Sequence, residues 1–131
     1  MLRIGTAASF AKVASAPKGT VYAEIYRAVA AIPFGQVTTY GDIAEAVKSR
    51  CTARQVGFAL RNSPAGLRLP WHRVLGAGGR IALPGESGAE QRFRLQGEGV
   101  PFAGRRVRIE ACRCDFALAL RGRTPDFRFD G

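Results

Sequence analysis

The chain has 131 residues, 47% of them hydrophobic, with twenty Lys and Arg against ten Asp and Glu, a formal net charge of +10. That length suits one compact domain with a real core, and no apolar run approaches membrane-spanning length, so no membrane span is expected. Three cysteines and one histidine do not make a disulfide framework or readily supply four zinc ligands. No metal or cofactor is expected, and a reducing compartment fits best: the cytoplasm, with nucleoid association if the source is bacterial.

The sign of the net charge makes a polyanion the default partner, and its distribution sharpens that expectation. Residues 46–85 contain no acidic side chain but hold Lys48, Arg50, Arg54, Arg61, Arg68, Arg73 and Arg80. A solvated basic face is the alternative; nucleic acid is the favoured reading.

Residues 1–19 carry Arg3, Lys12 and Lys18 without an acid, and Ala14-Ser15-Ala16 resembles a cleavage site. Thr6, Ser9 and Lys12 interrupt the apolar stretch, so this leader is expected to be a flexible tail rather than a targeting signal. Thr20 stands as an N-cap before Val21, Ile25, Val29 and Ile32, one apolar stripe, which predicts a helix from Gly19-Thr20 to Pro33. Phe34-Gly35-Gln36 then reads as a turn and Val37-Thr38 as briefly extended. A second helix opens at Thr39, with Asp42 in an approximate capping-box position and Ile43, Ala44 and Val47 as its apolar face, and ends near Lys48.

After the turn Ser49-Arg50-Cys51-Thr52, a third helix fits Ala53 to Asn62. Val56, Ala59 and Leu60 form a core stripe, while Arg54, Gly57, Phe58 and Arg61 form a basic face on the other side. A mid-helix glycine costs ~1 kcal/mol relative to alanine, so Gly57 implies close approach of something to the helix backbone, either another helix or a ligand. Two short helices joined by a tight turn, the second with paired arginines, form the pattern of a helix-turn-helix whose second helix enters a DNA groove.

Ser63-Pro64-Ala65-Gly66 reads as a loop and Leu67 to Leu69 as a short extended lead into Pro70-Trp71-His72-Arg73-Val74, which holds the chain's one tryptophan and one histidine. On its own, Trp71 is equally well a core plug beside a partly exposed His72. Val74-Leu75, Gly76-Ala77-Gly78-Gly79 and Arg80 to Leu83 read as a small hairpin, a candidate wing, closed by Pro84-Gly85. A last helix from Ser87 or Gly88 to about Gln96 presents Phe93 and Leu95 with Arg92 and Arg94, and stops at Gly97-Glu98-Gly99. Val107, Ile109, Ala111 and the run Cys112 to Phe116 are expected to supply a strand on which Cys112 and Cys114 share a face as packing thiols, and residues 121–131 read as a frayed tail. The expected fold is mainly α with a small β-hairpin, a winged helix-turn-helix-like DNA-binding domain over residues 20–120.

Pro70-Trp71-His72-Arg73-Val74 resembles the Pro-Cys-His-Arg-Val active-site motif of the O6-alkylguanine-DNA alkyltransferases, with one letter changed. The resemblance runs from about Val21 to Val100 and takes in Phe34-Gly35-Gln36-Val37, Thr39-Tyr40, Ala53-Arg54-Gln55-Val56-Gly57 and Glu98-Gly99. Tryptophan in place of the acceptor cysteine is the mark of the alkyltransferase-like proteins, which resemble the enzymes' DNA-binding domain without their N-terminal domain. The chemistry agrees, since alkyl transfer from a guanine oxygen needs a soft, ionisable nucleophile, which a thiolate is and an indole is not.

The resemblance implies a protein that is not an enzyme: a monomeric sensor that finds O6-alkylguanine in double-stranded DNA, flips it out of the stack and flags it for nucleotide excision repair proteins. Tyr40 matches the tyrosine associated with rotating the target phosphate, and Arg54 the arginine that fills the gap left by the extruded nucleotide, whose extrusion costs a few kcal/mol. Thr52, Ala53, Gln55 and Gly57 match helix positions that approach the DNA backbone and minor groove, and Arg61 and Lys48 are expected on phosphate. Tyr40, Trp71 and Val74 are expected to line the base pocket. His72 and Glu98 match the relay that activates the missing cysteine and persist as scaffold, while Ser63 departs from the family's hinge asparagine. The other readings are a sequence-specific helix-turn-helix regulator, which would not need the pocket, a residual alkyltransferase using another thiol such as Cys51, and a generic basic scaffold protein.

Overall fold

A computed structural model describes residues 17–47 and 50–120; the leader up to residue 16, Lys48, Ser49 and the tail 121–131 lie outside the described residues. The first helix, α1, runs Pro17–Ala30. It begins a turn before the expected Thr20, with a proline at its first position, where a missing N–H costs no hydrogen bond. It also ends earlier than expected. Ala31 N–H is shared between Arg27 and Ala28 carbonyls and Ile32 N–H donates to Val29 O, a tightening last turn that stops short of Pro33 because the residue before a proline is disfavoured in the α region.

Ile25, Val29 and Ile32 are buried as the stripe requires, but so is Tyr26, the largest side chain with no exposure. Its hydroxyl donates to Ala59 O at 2.9 Å, satisfying the polar end of an otherwise apolar side chain. Burial, reinforced by Tyr22, pushes the Tyr26 phenol up to about 12.

Strand β1 (Thr38–Thr39) leads directly into α2 (Tyr40–Ala46), where Thr39 caps the helix by accepting from Asp42 N–H at 3.0 Å. The helix stops two residues short of Lys48, with extended Val47 as its C-cap. Helix α3 (Ala53–Arg61) carries a reciprocal capping box: Thr52 Oγ1 accepts from Gln55 N–H, and Gln55 Oε1 accepts from Thr52 N–H. The helix thus opens at Ala53 as expected, with the last residue of the preceding turn, Thr52, as its N-cap. Between α3 and the Trp71 segment the chain makes a 3₁₀ turn at Ala65–Leu67 rather than an extended lead, and Arg68 follows in the left-handed region at φ 51°.

The expected hairpin wing is corrected. Strand β2 (Val74–Leu75) pairs in parallel with β1, Thr38 opposite Val74 and Thr39 opposite Leu75, while Arg80 makes only single bridges to Gly76 and Arg106. Val74 and Leu75 are both buried, and they point to opposite sides: Val74 into a cluster with α1, α2, α3 and Cys114, Leu75 into a second cluster with Val37, Leu95, Val100 and Val107. A strand buried on both faces takes its partner from the interior, and β1 supplies it.

Residues 76–83 instead pack tightly against two neighbours. A Cβ on Gly79 would stand 2.3 Å from Val107 O, and one on Gly88 2.3 Å from Leu83 O. Helix α4 runs Gly85–Gly97, opening two residues before the expected Ser87, and buries Gly88, Gln91 and Leu95, whereas Phe93 is 75% exposed. The expected strand at 107–116 is replaced by a two-residue antiparallel pair, β3 (Phe102–Ala103) with β4 (Arg106–Val107), then a 3₁₀ turn at Ile109–Ala111 and a short α5, Phe116–Ala119. Cys112 and Cys114 do not share a face: Cys112 packs on the second cluster and Cys114 lies in the first. Cys112 O and Cys114 N–H both bond to Val37, at 2.9 and 2.7 Å. Backbone pairing with β1's neighbour, not a continuous strand, sets their directions.

Three distant stretches meet at Glu98. Its Oε1 accepts from Gly35 N–H at 2.9 Å and Arg73 Nε at 3.0 Å, and its Oε2 accepts from Arg73 Nη2 and pairs with His72 Nε2, each at 2.7 Å. Arg73 Nη1 also donates to Ile32 O at 2.8 Å. Burial alone would raise this carboxyl, but hydrogen bonds from Arg73, His72 and Gly35, with the charge of Arg73, hold it down to about 2 from 4.5.

A depressed carboxylate stabilises the fold above its unfolded pKa, and that stabilisation disappears as pH falls through the folded one. Glu98 should therefore contribute roughly 3 kcal/mol at neutral pH, lost between about pH 4.5 and about 2. Urea titrations of the parent and Glu98→Gln at pH 7, 4.5 and 2.5 check this: the variant should be weaker at pH 7 and show a shallower acid slope. Parallel slopes would refute the assignment.

Candidate nucleic-acid interface

A cleft of about 820 Å³ lies between α3 and residues 82–87, with Trp71 among its lining residues. Tyr40, at the first position of α2, and Ala53, Arg54, Gly57, Leu60 and Arg61 of α3 form one wall; Ala82, Leu83, Pro84 and Ser87 form the other. No carboxylate lines it, and its two guanidiniums come from one helix face. Burial raises the Tyr40 phenol above its ordinary value, opposed by Arg61, so at neutral pH Tyr40 offers an intact O–H donor to whatever enters.

Gly57 separates the two explanations of a mid-helix glycine. A Cβ there would meet the Tyr40 ring at 3.9 Å, an ordinary contact, so no helix crowds this backbone. The glycine leaves the cleft wall without a side chain at this position.

Trp71 opens the 3₁₀ turn Trp71–Arg73 and is half-buried. Its indole stands edge-on to the His72 ring, with centroids 6.1 Å apart and planes at 85°. The Arg94 guanidinium lies 5.6 Å from the indole centroid, within cation–π range, and is itself held by Glu90 at 2.7 Å one turn earlier in α4. Behind the indole is a second hollow of about 480 Å³, lined by Leu60, Ser63, Pro64, Arg68, Leu69 and Arg94 together with Trp71. The ring is thus a partition, with the large cleft on one side and the Ser63–Arg94 hollow on the other.

The structure brings together Tyr40, Ala53, Arg54, Gly57, Arg61 and Trp71 from the residues singled out in the sequence. It does not bring in the others. Val74 is 1% exposed and packs in the core, so it backs the cleft without lining it, because its face of β2 is turned to α1 and α3. Ser63 opens on the hollow beyond Trp71. Thr52 and Gln55 are exposed but spend their side chains on the α3 cap.

His72 is 7% exposed and Glu98 sits behind it. With Nε2 paired to Glu98, His72 Nδ1 is buried with no hydrogen-bond partner among the described residues. None of Cys51, Cys112 and Cys114 lines the cleft, and burial raises all three thiols, Cys114 to about 11.

Sequence reasoning passed over Gln91, 1% exposed, whose Nε2 donates to His72 O at 3.1 Å and Val74 O at 2.8 Å. It fastens the carbonyls on either side of Arg73 to α4. The signal was present: Gly88, Gln91 and Leu95 follow helical spacing, and a polar residue in a buried stripe needs partners. Sequence reasoning also passed over the far wall, because it reads Ala82 and Leu83 as a hairpin strand, Pro84 as the closing turn and Ser87 as a helix start.

Residues 20–100 match the model of the 6-O-methylguanine DNA methyltransferase DNA-binding domain. A DNA base-flipping protein of Escherichia coli is 49% identical over 80 residues, 61% of this chain and 62% of that protein, so the match spans less than two thirds of the relative's length. Alkyltransferase-like protein 1 of Schizosaccharomyces pombe is 44% identical over 81 residues, 60% of this chain and 75% of that protein.

Among solved structures, S. pombe Atl1 in complex with damaged DNA containing O6-carboxymethylguanine superposes with TM-score 0.61 and 34% identity, over 73% of this chain and 95% of that one. Mycobacterium tuberculosis OGT in complex with DNA matches at TM-score 0.53 and 28% identity, over 75% of this chain and 55% of that one. With the helix-turn-helix-like fold and the match over residues 20–100 in agreement, the chain belongs to the 6-O-methylguanine DNA methyltransferase family, through that family's DNA-binding domain.

Proposed function

We propose that this protein is a non-enzymatic DNA damage sensor: it binds O6-alkylguanine in duplex DNA by flipping the nucleotide into the cleft, and flags it for nucleotide excision repair. The observation that carries the reading is Trp71. It stands in the cleft beside an assembled His72–Glu98 pair, where the resemblance puts the acceptor cysteine, so the site keeps its shape and lacks a nucleophile. The raised thiols away from the cleft argue against a displaced acceptor such as Cys51, since a protonated thiol reacts poorly. In this reading Arg54 fills the stack after extrusion, Arg61 neutralises phosphate, Tyr40 turns the target phosphate, and the indole packs against the flipped base. The S. pombe relative solved with a carboxymethylguanine duplex supports the same ligand class.

A duplex labelled on an O6-methyl group should keep all its label after incubation, and stoichiometric transfer to protein would end the sensor reading. Trp71→Cys restores a thiol beside His72, yet transfer should stay weak because Ser63 replaces the family asparagine; full activity would show that this replacement does not matter.

Arg61→Ala should weaken binding of lesion and plain duplex alike and reduce the salt dependence of log K by ~0.9 per lost phosphate contact. Arg54→Ala should instead lower the lesion-to-plain affinity ratio, and an unchanged ratio would remove its assigned role.

Base–aromatic stacking is worth roughly 1–3 kcal/mol per base, so Trp71→Ala should cut the lesion preference roughly tenfold or more. Fluorescence of the single tryptophan should change more with lesion than with plain duplex. A preserved ratio in a folded variant would reduce Trp71 to a plug.

A further inference from the structure

Helix α3 has a second concave flank. Arg54 and Arg61 form a ridge along it: on one side lies the large cleft, and on the other a smaller hollow of about 280 Å³ lined by Arg54, Arg61, Gln55, Phe58 and Tyr22. Phe58 is 47% exposed, an apolar ring left in solvent beside Arg54 and Arg61. It is held in place, with the Tyr22 ring edge-on at 6.5 Å and the Arg61 guanidinium 5.9 Å from its centroid.

We propose that the Tyr22–Phe58 hollow is a second DNA subsite, which takes the sugar–phosphate backbone of the undamaged strand opposite the flipped nucleotide. The inference rests on the sensor reading and deepens it. A helix seated in a DNA groove has one strand along each flank. If the cleft receives a nucleotide from the damaged strand, the opposite flank of the Arg54–Arg61 ridge faces the complementary strand.

The chemistry there fits deoxyribose and phosphate. Two aromatic rings offer an apolar floor for the C–H faces of the sugar, and the ridge guanidiniums stand beside it for the flanking phosphates. Because the hollow shares both arginines with the cleft, the two subsites form one continuous surface. Phe58 grips the strand through apolar contact, so its contribution adds to the electrostatic term and does not depend on counterion release.

The test compares the parent, Phe58→Ala and Phe93→Ala, the last removing an equally conspicuous phenylalanine, 75% exposed, that lines none of these cavities. Circular dichroism and thermal melting confirm that each is folded. Binding is measured across a salt series on O6-methylguanine duplex, plain duplex, and a lesion duplex whose complementary strand is gapped opposite the lesion.

Phe58→Ala should bind both intact duplexes roughly tenfold more weakly with the parent's salt slope, and should lose little further affinity on the gapped duplex, whereas the parent and Phe93→Ala lose about as much on the gap as Phe58→Ala loses by substitution. Parent-like affinity in folded Phe58→Ala overturns the subsite. So does a Phe58→Ala variant as sensitive to the gap as the parent, since its ring would then contact something other than that strand. If the parent itself shows no lesion preference, the sensor reading fails instead.

Discussion

Glu98 accepts hydrogen bonds from Gly35, His72 and Arg73, three positions that no local structure would bring together. Taking a carboxylate, a guanidinium and an imidazole out of bulk water is costly, and the cost is met only because every carboxylate lone pair finds a donor and Arg73 adds the Ile32 carbonyl. Remove the carboxylate and Arg73 is left as a half-buried cation between the end of α1 and the end of α4. The geometry of the Trp71 turn depends on this pairing, because His72 and Arg73 are two of its three residues. Gln91 completes the restraint by holding the carbonyls of His72 and Val74, so the turn is fixed through both its side chains and its backbone.

On that fixed turn the indole can serve as a partition. It is pressed neither into the core nor out into solvent: His72 meets it edge-on, Arg94 covers it at cation–π distance, and the large cleft opens on its other side. A flexible aromatic would lose rotamer entropy on meeting a base; one already held loses less, which favours recognition without chemistry. The same scaffold in a thiol-bearing relative would present its nucleophile in a fixed place. Scaffold and reactivity are separable here, because the interactions that position residue 71 come from its neighbours and from α4.

The two arginines of the cleft both come from α3. Its capping box closes the helix start, its core stripe docks on α1 and α2, and the arginines seven residues apart fall on one ridge between two hollows. Gly57 lowers the wall between that ridge and Trp71. No carboxylate lines the cleft or the Phe58 hollow, and Arg54 and Arg61 line both, so an anion at either would meet two guanidiniums and no opposing charge from the lining.

Local periodicity and local chemistry were enough to determine the helices: the Thr39 cap, the α3 stripe of Val56 and Ala59, and the motif 70–74 that carries the family resemblance all follow from residues close in the chain. The acid-free run of cations was legible for the same reason, since charge needs no fold to be counted, but the fold divides it, placing Arg54 and Arg61 on the cleft and Arg73 against Glu98. Tertiary structure decided everything that depended on a choice of partner. Val74-Leu75 was legible as extended, but two buried residues pair with whichever strand the interior offers, and β1 outcompeted the expected hairpin. That choice turned Val74 into the core, freed residues 82–87 to wall the cleft, and sent Cys112 and Cys114 to different clusters. Gln91, Tyr26 and the meeting of Glu98 with Gly35 were settled the same way, because the partner of a buried polar group is a distant residue that only the packed fold brings within hydrogen-bond reach.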